Sequence, residues 1–239
     1  MCSVKGIIFD YGGTIDTNGI HWGEVIWEQY CKADICIDKE TFRDAYVYGE
    51  RSLAKNPIIE PTDTFRMLLH KKIALQFCYL KEKCSNALSF SKERENIVAE
   101  GCYNKVLETI STTLPVVEIL RKKFPMVLVT NFYGNMPIVL KEFGINNIFT
   151  TIVESSVVGI RKPDPALFEL GIKALGLRPE EIVVIGDSYR KDIYPSTCLG
   201  CMSVWLKKIC WAEEQIETGH EPTAIIQTLT DLPTIIENI

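Results

Sequence analysis

Carboxylates, a hydroxyl and an ammonium stand at or near the ends of short apolar runs in this 239-residue chain. Asp10 closes "GIIFD", Thr130 and Asn131 close "MVLVTN", and Gly186, Asp187 and Ser188 end "EIVVIGDS". Lys162 lies between the second and third runs, in "GIRKPDP", a loop that opens a helix. Brought to one edge, these residues would supply a carboxylate nucleophile, a hydroxyl for an oxyanion and a cation to offset negative charge. The carboxylates could also hold a magnesium ion that keeps several of its waters. Such a set suits a phosphoryl group.

Short apolar runs and helical patterns surround these residues. A further run, "CMSVWL", covers 201 to 206. Short β-branched runs separated by helical patterns predict an α/β fold, a Rossmann-like core with a parallel sheet and crossover helices. Ligands bind such sheets beyond the carboxyl ends of the strands. "LPVVEILRKKF" carries Val117, Leu120 and Phe124 at helical spacing. "DPALFELGIKALGL" sets Leu167, Leu170, Ile172 and Leu175 to one side, with Gly176 as its stop. Residues 17–111 differ: "WGEVIWEQY" spaces Trp22, Ile26 and Tyr30 as a helix does, and "DTFRMLLHKKIALQF" does the same with Phe65, Leu69 and Ile73. The expected division is therefore an α/β core from 1–16 and 112–239 and an all-helical insertion at 17–111, with Pro57 and Pro61 marking a break between helices.

The composition narrows the partners. At 46% hydrophobic residues the chain can bury a sizeable core, and a net charge of −5 without a basic cluster excludes a nucleic-acid surface. No apolar run reaches the roughly 18 residues of a membrane span, and "MCSVKGIIFDYGG" meets Asp10 before a signal-peptide core could form. The expected location is cytoplasmic, without membrane partners, as a monomer or homodimer. Nine cysteines, an odd number, fit reduced thiols. "CLGC", Cys198 to Cys201, has CxxC spacing without a second pair or a nearby His pair, and is read as buried structural thiols.

The order "DYGGT", "VLVTN", "RKPDP", "IGDSYRKD" resembles the four motifs of the haloacid dehalogenase-like (HAD) hydrolase superfamily. The likeness covers residues 4 to 16 and 112 to 235, and the helical insertion sits where one branch of that family carries its cap. The resemblance implies roles. Asp10 would be the nucleophile that forms an aspartyl-phosphate, and Thr130 would donate to a phosphoryl oxygen. The backbone of the turn at Tyr11 and Gly12, with Asn131, would help to hold the phosphate. Lys162 would offset negative charge. Asp10, Asp187 and the backbone carbonyl of Gly12 would bind magnesium, and Asp192 would orient Lys162 or a metal-bound water.

Phosphatases of that family usually carry DxDGT, whose second Asp protonates the leaving oxygen, and Gly12 stands there in this chain. A positioned acid and base contributes about 10²- to 10⁴-fold. His21 and Asp16 are the candidate substitutes, His21 first because its ordinary pKa suits proton transfer near neutrality. Two branches also lack the second Asp. Dehalogenases need no metal, and Asp187 argues against that reading. Phosphonoacetaldehyde hydrolases use a cap lysine, for which Lys32, Lys39 and Lys55 are available. Arg43, Arg51 or other cap residues would read the substrate. The expectation is a magnesium-dependent, slow phosphatase of a small phosphorylated metabolite, against a non-catalytic module that binds magnesium and phosphate.

Overall fold

The structure, a computed structural model, describes residues 3–84 and 87–239. Cys2 lies outside them; the eight described cysteines are free, with Cys201 buried and Cys198 exposed, so only one thiol of the CxxC pair is the buried residue expected.

Among the described residues six strands form one parallel sheet: β1 (Gly6–Phe9), β2 (Met126–Thr130), β3 (Thr151–Glu154), β4 (Ile182–Gly186), β5 (Met202–Leu206) and β6 (Ala224–Ile226). Their order is β3-β2-β1-β4-β5-β6. The chain builds outward from β1 to β3, then returns to β4 on the other side of β1. That reversal is the topological switch point, so the ends of β1, β2 and β4 open on one crevice. In register, Phe9 stands beside Leu128 and Ile185.

Ile7, Ile8 and Phe9 are fully buried. Side chains alternate across a strand, and both faces of β1 are covered: Ile7 and Phe9 join the large cluster that includes the inserted helices, and Ile8 joins Leu167 and Phe168. Each such side chain contributes about 1.5–3 kcal/mol of burial, which fixes the strand that carries Asp10.

Between β1 and β2 the main elements are helices: α1 (Trp22–Lys32), α2 (Lys39–Lys55), α3 (Phe65–Lys83) and α4 (Lys92–Arg121). Asp38, Thr64 and Ser91 cap α2, α3 and α4, each accepting from a backbone N–H of the first turn. Pro57 and Pro61 fall between α2 and α3, as expected. The division expected at residue 111 falls inside α4, which runs without interruption from the insertion to the sheet and contains Pro115. Proline removes one helical hydrogen bond, and just upstream the hydroxyls of Thr109, Ser111 and Thr112 donate to carbonyls of the preceding turn. Thr113 Oγ1 donates to the Ile15 carbonyl at 3.2 Å, tying α4 to the loop after Asp10.

The remaining helices are α5 (Met136–Glu142), α6 (Ser155–Val158), α7 (Ala166–Leu175), α8 (Tyr194–Cys198) and α9 (Leu232–Glu237). Helix α7 ends at Gly176, whose φ of 65° is the left-handed stop the sequence predicts. Its buried stripe is Leu167, Phe168 and Gly171, with Leu170, Ile172 and Leu175 at the flanks. A Cβ on Gly171 would lie 2.7 Å from Val129 Cγ2 and 3.2 Å from Ile8 Cδ1. Alanine gains about 1 kcal/mol of helix propensity over glycine, and overpacking costs about 1–3 kcal/mol. Gly171→Ala is therefore expected to lower the unfolding midpoint in urea; a higher midpoint would show that propensity outweighs the contact.

Candidate active site

Asp10 follows β1 directly, and its backbone N–H donates to the Ile185 carbonyl at 2.9 Å, which joins the carboxylate to β4. The chain then turns sharply, with the Tyr11 carbonyl accepting from the N–H groups of Thr14, Ile15 and Asp16. Gly13 has a φ of +94°, and a Cβ there would collide with the Asp187 carboxylate. Only glycine meets both demands. Gly12 differs, since a Cβ there would meet nothing within 4 Å. The site has room for a side chain at the position where the motif it resembles carries a second Asp.

Lys162 Nζ lies 2.7 Å from Asp10 Oδ1 and 2.7 Å from Asp192 Oδ1. Asp192 is held in turn by the Ser188 N–H, which donates to its Oδ2 at 3.1 Å, and a Cβ on Gly186 would strike it. Asn131 braces the lysine loop on both sides: its Nδ2 donates to the Lys162 carbonyl and its Oδ1 accepts from the Lys162 N–H. Thr14 Oγ1 donates to Asp10 Oδ2 at 3.1 Å and lies 3.5 Å from Asp187 Oδ1. Burial raises the Asp10 pKa, and Lys162 offsets only part of that rise. Asp187 is raised well above its usual range, by burial and then by Asp192 and Asp10. Burial works against the Lys162 charge, yet its two carboxylates hold its pKa above the ordinary value.

Asp10, Asp187 and Asp192 each bring an oxygen within 4.8 Å of the others. These are hard oxygen donors crowded with like charge, and Lys162 pairs with two of them, Asp10 and Asp192. A magnesium ion fits both the donor chemistry and the uncompensated charge.

A cavity of about 330 Å³ opens over this cluster and is lined by Asp10, Gly12, Thr130, Asn131, Lys162 and Asp187, with Asp16, His21 and Asp192 also on its wall. Tyr11 is different. Its side chain is fully buried, edge-on to Phe65 and Phe132, so its backbone is the part near the site. Asp16 Oδ1 accepts from the Gly13 N–H at 2.7 Å and its Oδ2 from Trp22 Nε1 at 3.0 Å. Burial pushes Asp16 up to about 7, against those two hydrogen bonds. His21 caps α1, its Nδ1 accepting from the Gly23 N–H, and it packs 5.0 Å from the Trp211 ring. Burial, then nearby Lys191, pushes it down to about 4. Both candidate acids thus line the cavity, with their pKa values moved in opposite directions.

Sequence reasoning did not single out the other wall. Glu50 of α2, Lys72 of α3 and Tyr133 line the cavity with Trp22, Tyr46 and Trp211. Each of the two charged residues sits a helical step from buried apolar ones, Glu50 after Tyr46 and Lys72 after Leu68 and Leu69, and that placement was the available signal. Trp211 arrives on the segment after β5, where the His21 N–H donates to the Ile209 carbonyl and Arg43 Nη2 to the Trp211 carbonyl. Arg43 thus braces that segment at the surface. Lys32 and Lys39 pair with Glu28 and Glu24, and Lys55 and Arg51 are exposed.

A glyceraldehyde 3-phosphate phosphatase of Pyrococcus furiosus is 31% identical over 39% of this chain and 38% of its own length. A phosphoserine phosphatase of Thermus thermophilus is 37% identical over 27% of this chain and 26% of its own. A phosphoglycolate phosphatase of Pectobacterium atrosepticum is 32% identical over 50% of each. The chain spans half or less of the length of these three relatives. Among solved structures, the HAD hydrolase YfnB of Bacillus subtilis is 18% identical with a TM-score of 0.60, covering 99% of this chain and 100% of that one. A dehalogenase is 12% identical with a TM-score of 0.66, covering 98% of each. These two establish the fold. Among the described residues no helix is long and apolar enough to cross a membrane. The family description "haloacid dehalogenase-like hydrolase" matches residues 4–194, and the chain belongs to that family.

Proposed function

We propose that this chain is a magnesium-dependent phosphatase of a small phosphorylated metabolite, acting through an aspartyl-phosphate on Asp10. The observation that carries the reading is the Asp10–Lys162–Asp192 chain, with Asp187 beside it on the wall of one cavity. The names of the relatives, phosphatases of glyceraldehyde 3-phosphate, phosphoserine and phosphoglycolate, agree with it.

In this reading the Asp10 oxygen attacks phosphorus, the phosphorus–oxygen bond to the leaving group breaks, and the aspartyl-phosphate is then opened by water. Thr130 and the backbone of the Tyr11–Gly12 turn hold phosphoryl oxygens, with Asn131 keeping the Lys162 loop in register. Lys162 offsets the charge that builds between Asp10 and an anionic ester, and Asp192 orients it. A magnesium ion held by Asp10, Asp187 and the Gly12 carbonyl would neutralise phosphoryl charge. The residues from 17 to 111 serve as a cap that excludes water.

Lys72 speaks against a Schiff-base mechanism. Burial works against its charge, but Glu50, Tyr133 and Tyr46 outweigh it and hold its pKa far above the lysine range, so the amine keeps its proton. The test is hydrolysis of phosphomonoesters with leaving groups from nitrophenol to sugar alcohols, with Asp10→Asn as the blank and chelator in place of magnesium. Chelator-sensitive, Asp10-dependent turnover is expected. Its absence on every ester would favour a module that only binds magnesium and phosphate.

A further inference from the structure

The cavity has a second polar centre besides the Asp10 cluster, formed by Glu50, Lys72 and Tyr133. Lys72 is buried, at 6% exposure, and its Nζ lies 2.8 Å from Glu50 Oε1. Tyr133 donates from its hydroxyl to Glu50 Oε2 at 3.2 Å. The ammonium sits 5.7 Å from the ring centres of both Trp22 and Tyr133. Despite its short distance to the lysine, Glu50 Oε1 is buried and accepts no well-directed hydrogen bond among the described residues. Burying a charge pair is costly unless its remaining donors and acceptors are satisfied.

We infer that Glu50, Lys72 and Tyr133 read hydroxyl groups on an uncharged, polyhydroxylated leaving group, so that the substrate is a phosphate ester of a small polyol or sugar. This rests on the phosphatase reading above and names the substrate class. A hydroxyl is both donor and acceptor: it donates to the Glu50 carboxylate, whose side chain is 31% exposed on the cavity wall, while accepting from the Lys72 ammonium, so it improves the pair without breaking it. A carboxylate tail would take Lys72 only by leaving Glu50 without its cation, and an amine tail would strand Lys72 in the same way. A zwitterionic tail must lose the hydration of both charges to meet a pair that is already compensated. Trp22, Phe65 and Leu69 line the same cavity and offer apolar surface to the carbon skeleton of a polyol.

The test compares sn-glycerol 3-phosphate, propyl phosphate and O-phosphoserine, which share one phosphate and differ in the tail. Dissociation constants are measured by calorimetry on full-length Asp10→Asn protein, so that no turnover intervenes. The glycerol ester is expected to bind at least tenfold more tightly than either of the others. In Glu50→Gln/Lys72→Met, which removes both charges together and leaves none unpaired, that advantage should fall to within about twofold. Glu50→Gln alone, which keeps shape and cation, should lose part of it. Propyl phosphate binding as tightly as the glycerol ester, or phosphoserine binding more tightly, would overturn the inference. Failure of phosphatase chemistry would be seen separately, as no Asp10-dependent turnover of any ester by the parent, and the binding comparison would still decide the tail.

Discussion

Asp10→Asn is expected to abolish magnesium-dependent ester hydrolysis, to below about one-thousandth of the parent kcat, while the protein stays folded. The amide keeps the shape of the side chain and its place at the end of β1, but it has no carboxylate to attack phosphorus. The fold should tolerate the change because Lys162 still has Asp192 at 2.7 Å, so no buried cation is left alone. Without metal, the variant also relieves repulsion among Asp10, Asp187 and Asp192, whose oxygens crowd within 4.8 Å. Its thermal midpoint in chelator should therefore equal or exceed that of the parent. With magnesium the order should reverse, because a ligand that binds only the folded state stabilises it and the variant has lost one of the proposed donors. Turnover that survives in Asp10→Asn would remove the nucleophile assignment, and an equal magnesium-induced rise in both proteins would remove Asp10 from the metal site. Lys162→Met should behave in the opposite way. Breaking a buried pair from one side costs about 3–5 kcal/mol, and here two carboxylates would lose their shared cation.

Three residues of the candidate site were legible in the sequence because Asp10, Thr130 and Asp187 stand at strand ends, and a strand end is where a short apolar run stops. Asp10, Thr130 and Asp187 needed no tertiary information beyond the parallel order of the runs. Strands β3 and β6 left weaker traces. They are the two edges of the sheet, β3 has four residues with an exposed Thr151, and β6 has three with Ile225 half exposed, so neither shows a long, fully buried apolar run. The division expected at residue 111 falls within α4, which runs on through Pro115 from the inserted helices toward the sheet. The far wall of the cavity was least legible. Glu50 and Lys72 come from different helices, Tyr133 follows β2, and Trp211 crosses from the segment after β5, so their meeting depends on how the inserted helices pack on the sheet.

Asp16→Asn is expected to lower kcat on alkyl phosphates by about 10²- to 10⁴-fold, and on nitrophenyl phosphate by less than about tenfold, because a good leaving group needs little protonation. Asp16 shares the cavity wall with Asp10, and burial pushes it up to about 7, where it can both give and take a proton near neutrality. In the parent, kcat on an alkyl ester should fall as pH rises through about 7 and the acid is lost; in the variant that limb should be absent. Stability should follow the same group. Its folded pKa exceeds the unfolded 3.8, so its stabilising contribution is full in acid and is lost as pH rises through about 7. The rise corresponds to about 4 kcal/mol, and denaturation between pH 4 and pH 8 should show a correspondingly flatter dependence in the variant. His21→Ala makes the contrast: it should cost about 1 kcal/mol through the lost α1 cap and change kcat by less than about tenfold. The decisive step is rescue. A Cβ at Gly12 meets nothing within 4 Å, so Gly12→Asp added to Asp16→Asn has space for the carboxylate that the family usually carries there. Recovery of alkyl-ester turnover in the double variant would identify the lost element as a proton donor. Failure to recover, with magnesium still bound, would mean that Asp16 acts by holding the Gly13 turn and Trp22 in place.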